Sequence, residues 1–364
     1  MSALRLLLVT DAVGGVWVYS IELARALLAL GVETVLAVAG PPPDRKQRDE
    51  ANGFKLIETS LPLEWLANDS SALARAGVEL ARLADEQGVD VVQTSSAALL
   101  ASTEIAQPCV ALQHSCVASW WEAVKGTTLP ADFEWRRTLV QRGLQRASAI
   151  VAPSIAFAAD TTRIYGTPAI AVHNGRTPLS SRAIPQGGFV FTAGRLWDEG
   201  KNVATLDAAA GMVDTPFQAA GPLEGPNGTK ASVRHMEPLG MLSEARLAGL
   251  YAARPIYASA ALYEPFGLSV LEAAQAGCAL VLSDIATHRE MWGGAAVFVP
   301  ATNPEAFASA IGDIMADADE REQLGRLAAA RATHYTPTRM ARGMAEIYAR
   351  VIGSSAPVEL AGAA

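Results

Sequence analysis

The sequence predicts an α/β protein of two Rossmann-like, doubly wound parallel-sheet domains, and three observations carry that prediction. Short runs rich in Val, Ile and Leu alternate with longer Ala- and Leu-rich stretches of helical period, the pattern of repeated βα units. The alternation breaks at a stretch of Thr, Pro, Ser, Gln and Gly that ends at Gly188, and then restarts. At roughly 150 residues per domain, 364 residues make two domains.

The first βα unit is explicit in the residues. Leu4 to Thr10 reads as a strand, Asp11 to Gly15 as a loop, and Val16 to Leu30 as a helix stopped by Gly31, before a second strand from Thr34 to Val38. Further strands are expected at Lys55 to Glu58, Val89 to Gln93, Val110 to Leu112, Ala149 to Val151 and Ala169 to Val172. They complete a first domain over residues 1–176. The restart gives strands at Phe189 to Ala193, Gln218 to Ala220, Ile256 to Ser259, Ala279 to Leu282 and Ala296 to Val299. Two amphipathic helices then cover Pro304 to His334, so a second domain, counted with its linker, spans 177–335. One more helix, within 336–352, follows Pro337, and the small, polar tail 353–364 reads as disordered.

Composition removes several classes of function. Half of the residues are apolar and 18% are charged, enough for packed cores. A formal charge of −8 is the wrong sign for a protein that coats a nucleic-acid backbone, so an anionic ligand needs a local site. Cys109, Cys116 and Cys278 are too few and too scattered for a disulfide framework, which suits a reducing cytoplasm. The N-terminal apolar run is as short as a strand, and nowhere do about 18 apolar residues follow one another, so neither a signal peptide nor a transmembrane helix is expected. Any membrane contact would be peripheral.

Three stretches at strand ends carry candidate chemistry. In Asp11-Ala12-Val13-Gly14-Gly15 the two glycines put bare amides at a helix N-terminus, where a phosphate can approach, although glycines after strands often serve only as turns. In Gly194-Arg195-Leu196-Trp197-Asp198-Glu199-Gly200-Lys201-Asn202, Arg195 and Lys201 either converge on a diphosphate or form a solvated pair neutralised by Asp198 and Glu199. In Tyr263-Glu264-Pro265-Phe266-Gly267-Leu268-Ser269-Val270-Leu271-Glu272, Pro265 extends the chain and Gly267 opens a helix. Glu272 then lies about five residues, or roughly 7 Å, along its axis. A carboxylate, the first helical amides and a second carboxylate in line suit a sugar nucleotide; the plainer reading makes Glu264 a helix-dipole partner and Glu272 an exposed helical glutamate.

The spacing of Glu264 and Glu272 is E-x7-E, set in YEPFGLSVLEAAQAG. Together with GRLWDEGKN, VHNG and GGVWVYSIELARALLALG, it resembles glycosyltransferase family 4 over roughly residues 4–352. The resemblance implies a retaining enzyme with the GT-B fold, two Rossmann-like domains facing a cleft, and a C-terminal helix that packs back on the first domain. It implies that Arg195 and Lys201 hold the donor diphosphate, with the amides of Phe266, Gly267 and Leu268 nearby and Gly14 and Gly15 approaching the phosphate from the first domain. Glu264 would hold the transferred sugar, Glu272 the ribose, and Met241 and Leu242, in Leu239-Gly240-Met241-Leu242, the base. His114, just beyond a strand end, matches the family histidine beside the reacting sugar. Catalytic roles thus fall to His114, Glu264, Arg195 and Lys201. The chain departs from the family at Ala260-Ala261, where Pro-Ser is common, and at Ser115, where Asp often follows the histidine.

Trp17, Trp120 and Trp121 are candidates, with His114, for an acceptor wall, and the polar loop Gly40 to Glu50 either helps choose the acceptor or is solvated. The donor would be a UDP, GDP or ADP sugar, and the acceptor a saccharide, a lipid-linked sugar or a small-molecule hydroxyl. No metal is expected: Asp317-Ala318-Asp319 reads as a helix cap, and no His/Cys group has zinc spacing. GxSxG, the hydrolase elbow, is absent. The alternatives are another GT-B sugar-nucleotide enzyme such as an epimerase, a non-catalytic nucleotide-sugar-binding relative, and a two-lobed solute-binding protein.

Overall fold

The structure is a computed structural model that describes residues 4–65, 67, 69–182, 184–226 and 228–353; the tail beyond 353, read above as disordered, lies outside the described residues. The chain divides into two compact units. One holds the residues up to Gly175 together with the C-terminal helix from Pro337, and the other holds Arg176–Thr336.

The first unit alternates strands and helices: β1 (Arg5–Asp11), α1 (Gly15–Leu28), β2 (Glu33–Ala39), α2 (Arg45–Glu50), β3 (Lys55–Glu58), α3 (Ser70–Gln87), β4 (Val91–Thr94), β5 (Cys109–Leu112), α4 (Val117–Lys125), α5 (Ala131–Arg146), β6 (Ala149–Ala152), α6 (Ile155–Tyr165) and β7 (Ile170–Ala171). The sheet is parallel, in the order β3-β2-β1-β4-β5-β6-β7. Leu7 and Val9 feed the core on one face of β1, and Leu6 and Leu8 the core on the other, which is why these strands read as unbroken apolar runs.

The second unit repeats the plan with β8 (Val190–Ala193), α7 (Val203–Ala210), β9 (Phe217–Ala220), β10 (Glu237–Gly240), α8 (Glu244–Ala252), β11 (Ile256–Ser259), α9 (Leu268–Gln275), β12 (Ala279–Ser283), α10 (Ala286–Trp292), β13 (Val297–Val299), α11 (Pro304–Ala316) and α12 (Ala318–Ala332). Its order is β10-β9-β8-β11-β12-β13, again parallel. The two Rossmann-like sheets are those expected from the sequence. Strand β10 was not: with Glu237 and Pro238 exposed at the sheet edge, it has no apolar run to announce it. Asp317 caps α12, accepting from the amides of Asp319 and Glu320 at 3.0 and 2.9 Å.

Helix α13 (Pro337–Ile352) packs within the first unit against α1, where Met340, Ala341, Met344 and Tyr348 join the core that holds Leu23 and Leu27. In each sheet the strand order reverses beside its first strand, between β1 and β4 and between β8 and β11. Loops leaving such a switch point diverge to opposite faces and open a crevice at the strands' carboxyl ends. The glycine loop follows β1, the Arg195–Lys201 loop follows β8, and the Glu264 loop follows β11.

Candidate active site

In the second unit the loops after β8 and β11 are sewn together. Leu262 N–H donates to the Gly200 carbonyl at 2.8 Å. Asn202, left-handed at φ 50°, donates from Nδ2 to the carbonyls of Ala260 (3.0 Å) and Ala301 (2.7 Å). This seam brings the Lys201 ammonium into an ion pair with the Glu264 carboxylate, with side chains only 20% and 11% exposed. Arg195 lies on the same loop, holds Asp198 at 3.0 Å and keeps its side chain 45% exposed. Burial pushes the Glu264 carboxyl up, but the Lys201 ammonium, with smaller effects from His288 and Arg195, more than offsets this, so its pKa lies below the ordinary carboxylate value.

Gly267 caps α9 in the left-handed region at φ 91°, and no side chain caps that helix start. A Cβ there would sit 3.4 Å from Glu264 Cγ and 3.3 Å from Val270, so glycine serves both the turn and the close approach. Phe266 faces the core against Tyr335, ring centroids 5.9 Å apart, leaving the chain's backbone at this point to meet a ligand. Leu268 is half-buried at the first turn. The arrangement presents two cations, a carboxylate and a helix N-terminus on adjoining loops, a local answer to the acidic character of the chain.

Glu272 is not the exposed helical glutamate of the plainer reading. It accepts from Arg176 Nε at 3.0 Å, with side chains 14% and 12% exposed, and Glu244 lies 3.8 Å from the same guanidinium. Met241 is 77% exposed and Leu242 half-buried, just past β10. His288, on α10, is fully buried. The Ser283 hydroxyl donates to the Ala261 carbonyl at 2.6 Å and so cannot donate to the ring, whose Nδ1 lies 2.9 Å from the Ser283 carbonyl. Nδ1 therefore carries the proton, and Nε2 is a bare acceptor that finds no hydrogen-bond partner. Burial lowers its pKa, and the charges of Glu264 and Lys201 both act on it. Arg176, Asn202 and His288 escaped the sequence reading; only Asn202, inside the GKN run, left a local signal.

In the first unit Gly14, at φ 79°, caps α1 without a side-chain bond, and Gly14 and Gly15 are exposed. Asp11 Oδ1 accepts from Val13 N–H at 2.8 Å and Gln47 Nε2 donates to the Ala12 carbonyl at 2.9 Å, so the stretch read as a polar loop from Gly40 to Glu50 is half helix, α2, and helps to hold the glycine loop. Trp17 corrects the expectation of an exposed wall: it is 2% exposed, in the core, and donates its indole N–H to Glu50 at 2.8 Å. Its partner comes from α2, and α13 joins the same core against α1.

Trp120 and Trp121 are half-buried on α4, centroids 6.2 Å apart, with Trp121 also 5.6 Å from Phe133. His114 packs edge-on against Tyr19 at 4.5 Å, and its Nε2 is buried without a hydrogen-bond partner. Burial lowers its pKa to about 4, so the ring is neutral at physiological pH. Tyr19 in turn is reached by Gln93, which accepts from the Tyr348 hydroxyl of α13. No group of three or more His, Cys, Asp or Glu side chains is placed to hold a metal ion among the described residues, and no described helix is long and apolar enough to cross a membrane.

Two doubly wound parallel-sheet units with phosphate-suited loops at a switch point define the GT-B class, and the backbone matches solved members of it. Sucrose-phosphate synthase from Thermosynechococcus elongatus aligns with a TM-score of 0.78 at 18% identity, over 97% of this chain and 100% of that one. A glycosyltransferase from Rickettsia africae ESF-5 aligns at 0.71 and 18%, over 98% and 100%. HepE from Anabaena, solved in complex with UDP and glucose, aligns at 0.72 and 16%, over 94% and 99%. No curated protein matches the sequence. Residues 13–177 match the family model Glycosyltransferase Family 4, and residues 233–331 match Glycosyl transferases group 1. The chain is a glycosyltransferase of the GT-B type.

Proposed function

We propose that the protein transfers a sugar from a nucleoside-diphosphate sugar to an acceptor hydroxyl, with the anomeric configuration retained and without a bound metal. The observation that carries the reading is the Lys201–Glu264 ion pair beside Arg195 and the uncapped start of α9. Arg195, Lys201 and the amides of Phe266, Gly267 and Leu268 take the diphosphate and stabilise the charge that develops on it as the glycosidic bond breaks, the service a metal ion gives elsewhere. Glu264, kept ionised, accepts from hydroxyls of the transferred sugar, Glu272 accepts from the ribose, and Met241 and Leu242 border the base.

In the first unit, the neutral His114 with its unpartnered Nε2 is assigned to the reacting sugar, the amides of Gly14 and Gly15 to phosphate, and Trp120 and Trp121 to the acceptor. A UDP sugar is the donor we favour, since HepE, of the same fold, is solved with UDP. Three buried cysteines that form no disulfide suit the cytoplasm as its setting.

The test is thermal unfolding with UDP, GDP, ADP, CDP and dTDP, in EDTA and again in magnesium. A diphosphate at 100 times its Kd adds about 2.7 kcal/mol of stability. The expected result is a rise in Tm with one of them in EDTA that Arg195→Ala abolishes; a shift that requires magnesium, or none at all, overturns the reading. Retention is checked by assigning the product anomer by NMR.

A further inference from the structure

We propose that Arg176 is a positioning residue that sets the geometry with which Glu272 reads the ribose, and so determines how well the protein tells a ribonucleotide from its 2′-deoxy counterpart. The inference rests on the donor reading above, in which Glu272 meets the ribose.

Arg176 is held by its main chain and by its side chain, which also has Glu244 3.8 Å away. Its backbone N–H donates to the Tyr335 carbonyl at 3.3 Å, its carbonyl accepts from Gln275 Nε2 at 2.7 Å, and its Nε donates to Glu272 Oε1 at 3.0 Å. Gln275 and Glu272 both belong to α9, three residues apart, so they share one face of the helix. Arg176 is thus strapped across that face by its main chain and its side chain together. A guanidinium anchored in this way holds Oε1 of the carboxylate it meets in place, which a flexible ammonium would do less well.

A glutamate alone on a helix samples several rotamers, and ordering it costs entropy when a ligand arrives. Here that ordering is done in advance. Tyr251 lies beside Glu272, its buried hydroxyl donating to the Ser269 carbonyl of the same helix at 3.3 Å. An ionised carboxylate has about four acceptor positions, so these restraints are compatible with a ribose diol on the same group. Without Arg176, a carboxylate 14% exposed would lose the guanidinium that compensates its burial and would turn toward water or take up a proton, either of which spoils a two-hydroxyl contact. Arg176 stands 96 residues from Glu272 in sequence, directly after VHNG, where it reads as linker.

The experiment compares the Kd of UDP, GDP and ADP with that of their 2′-deoxy counterparts, by calorimetry, for the full chain and for Arg176→Met, Arg176→Lys and Gln275→Met. The wild-type protein should favour the ribonucleotide by about tenfold or more, the effect of one hydrogen bond to a charged group. Arg176→Met should bring that ratio to within about threefold while binding of the 2′-deoxy ligand stays near wild type, and Arg176→Lys should recover only part of it. Gln275→Met, which removes one strap and leaves the ion pair, should give an intermediate ratio and serves if Arg176→Met does not fold. Equal weakening of both ligands in these variants would overturn the inference, because Arg176 would then only support the fold, while the donor reading would stand. A wild-type protein that binds both ligands alike would overturn the assignment of Glu272 itself, and Glu272→Gln would then leave the ratio unchanged.

Discussion

Both units wind their sheets in the same order, yet their strand ends carry different chemistry. After β8 and β11 the second unit gathers ions: Arg195 with Asp198, Lys201 with Glu264, and Arg176 with Glu272 a helix away. At the corresponding ends the first unit holds Asp11 in a turn and otherwise several neutral groups. Thr10 and Ser20 bond to each other, Tyr19 packs on a neutral His114, and Gln93 joins Tyr19 to Tyr348. Even Glu64, close to that edge, has its carboxyl pushed up by burial and is hydrogen-bonded by Ser96. One architecture can therefore carry charged or neutral side chains at its strand ends; the strand order supplies the crevice, and the loop side chains set its chemistry.

The widest gap between the units should appear in the rate. Lys201→Met removes a donor from the developing diphosphate charge and is expected to lower turnover by about 10²–10³-fold, measured as donor consumption with acceptor present. A loss below about tenfold would remove Lys201 from the charge-bearing group.

Next comes stability within the first unit. In α5, a Cβ on Gly143 would lie 1.8 Å from the Ala97 carbonyl oxygen, an overlap with backbone that no rotamer relieves. Gly143→Ala should cost about 1–3 kcal/mol or more in chemical unfolding. Nucleotide binding by the folded fraction should be retained, since the overlap falls on Ala97, outside every loop assigned to the donor.

The smallest effect is in pH, where His288 of the second unit, also lowered by burial, acts in the same direction as His114. Burial lowers His114 from 6.5 to about 4, so above pH 6.5 its contribution is fully present, and as pH falls toward 4 the unfolded chain binds the proton first and stability drops. Glu264 is held below 4.5, so its contribution persists above that value and is lost only at lower pH. His114→Phe should flatten the fall in Tm between pH 6.5 and about 4 without changing the fall below it. An unchanged slope would mean that the ring is solvated in the folded protein.

What could be read in advance follows the same division. In the second unit the donor-site residues fall in two continuous runs, GRLWDEGKN and YEPFGLSVLE, so spacing alone placed Arg195, Lys201, Glu264 and Glu272 at strand ends. Their partners were not legible. Arg176 stands 96 residues from Glu272, and His288 finds its buried neighbours only when β11 and β12 are side by side. Trp17 misled for a related reason, since a helix with Leu, Ile, Val and Trp on most sides reads as exposed somewhere unless a distant segment covers it. Glu50, 33 positions away, meets the Trp17 indole, and α13 joins the same core, with a Tyr348–Gln93 hydrogen bond that spans 255 positions. Periodicity reports the face a residue occupies, and only the folded chain reports what covers that face.

Helix α13 also sets an order of events during synthesis. The second unit is one uninterrupted piece of chain, Arg176–Thr336, inserted into the first, whose final helix is translated last. While the ribosome is still making residues 337–352, the second unit already has all its strands, whereas the first still exposes the groove destined for Met340, Met344 and Tyr348. A chain that stopped before α13 would hold every strand of the second unit, while the first would lack the helix that packs on α1 and would be the aggregation-prone part.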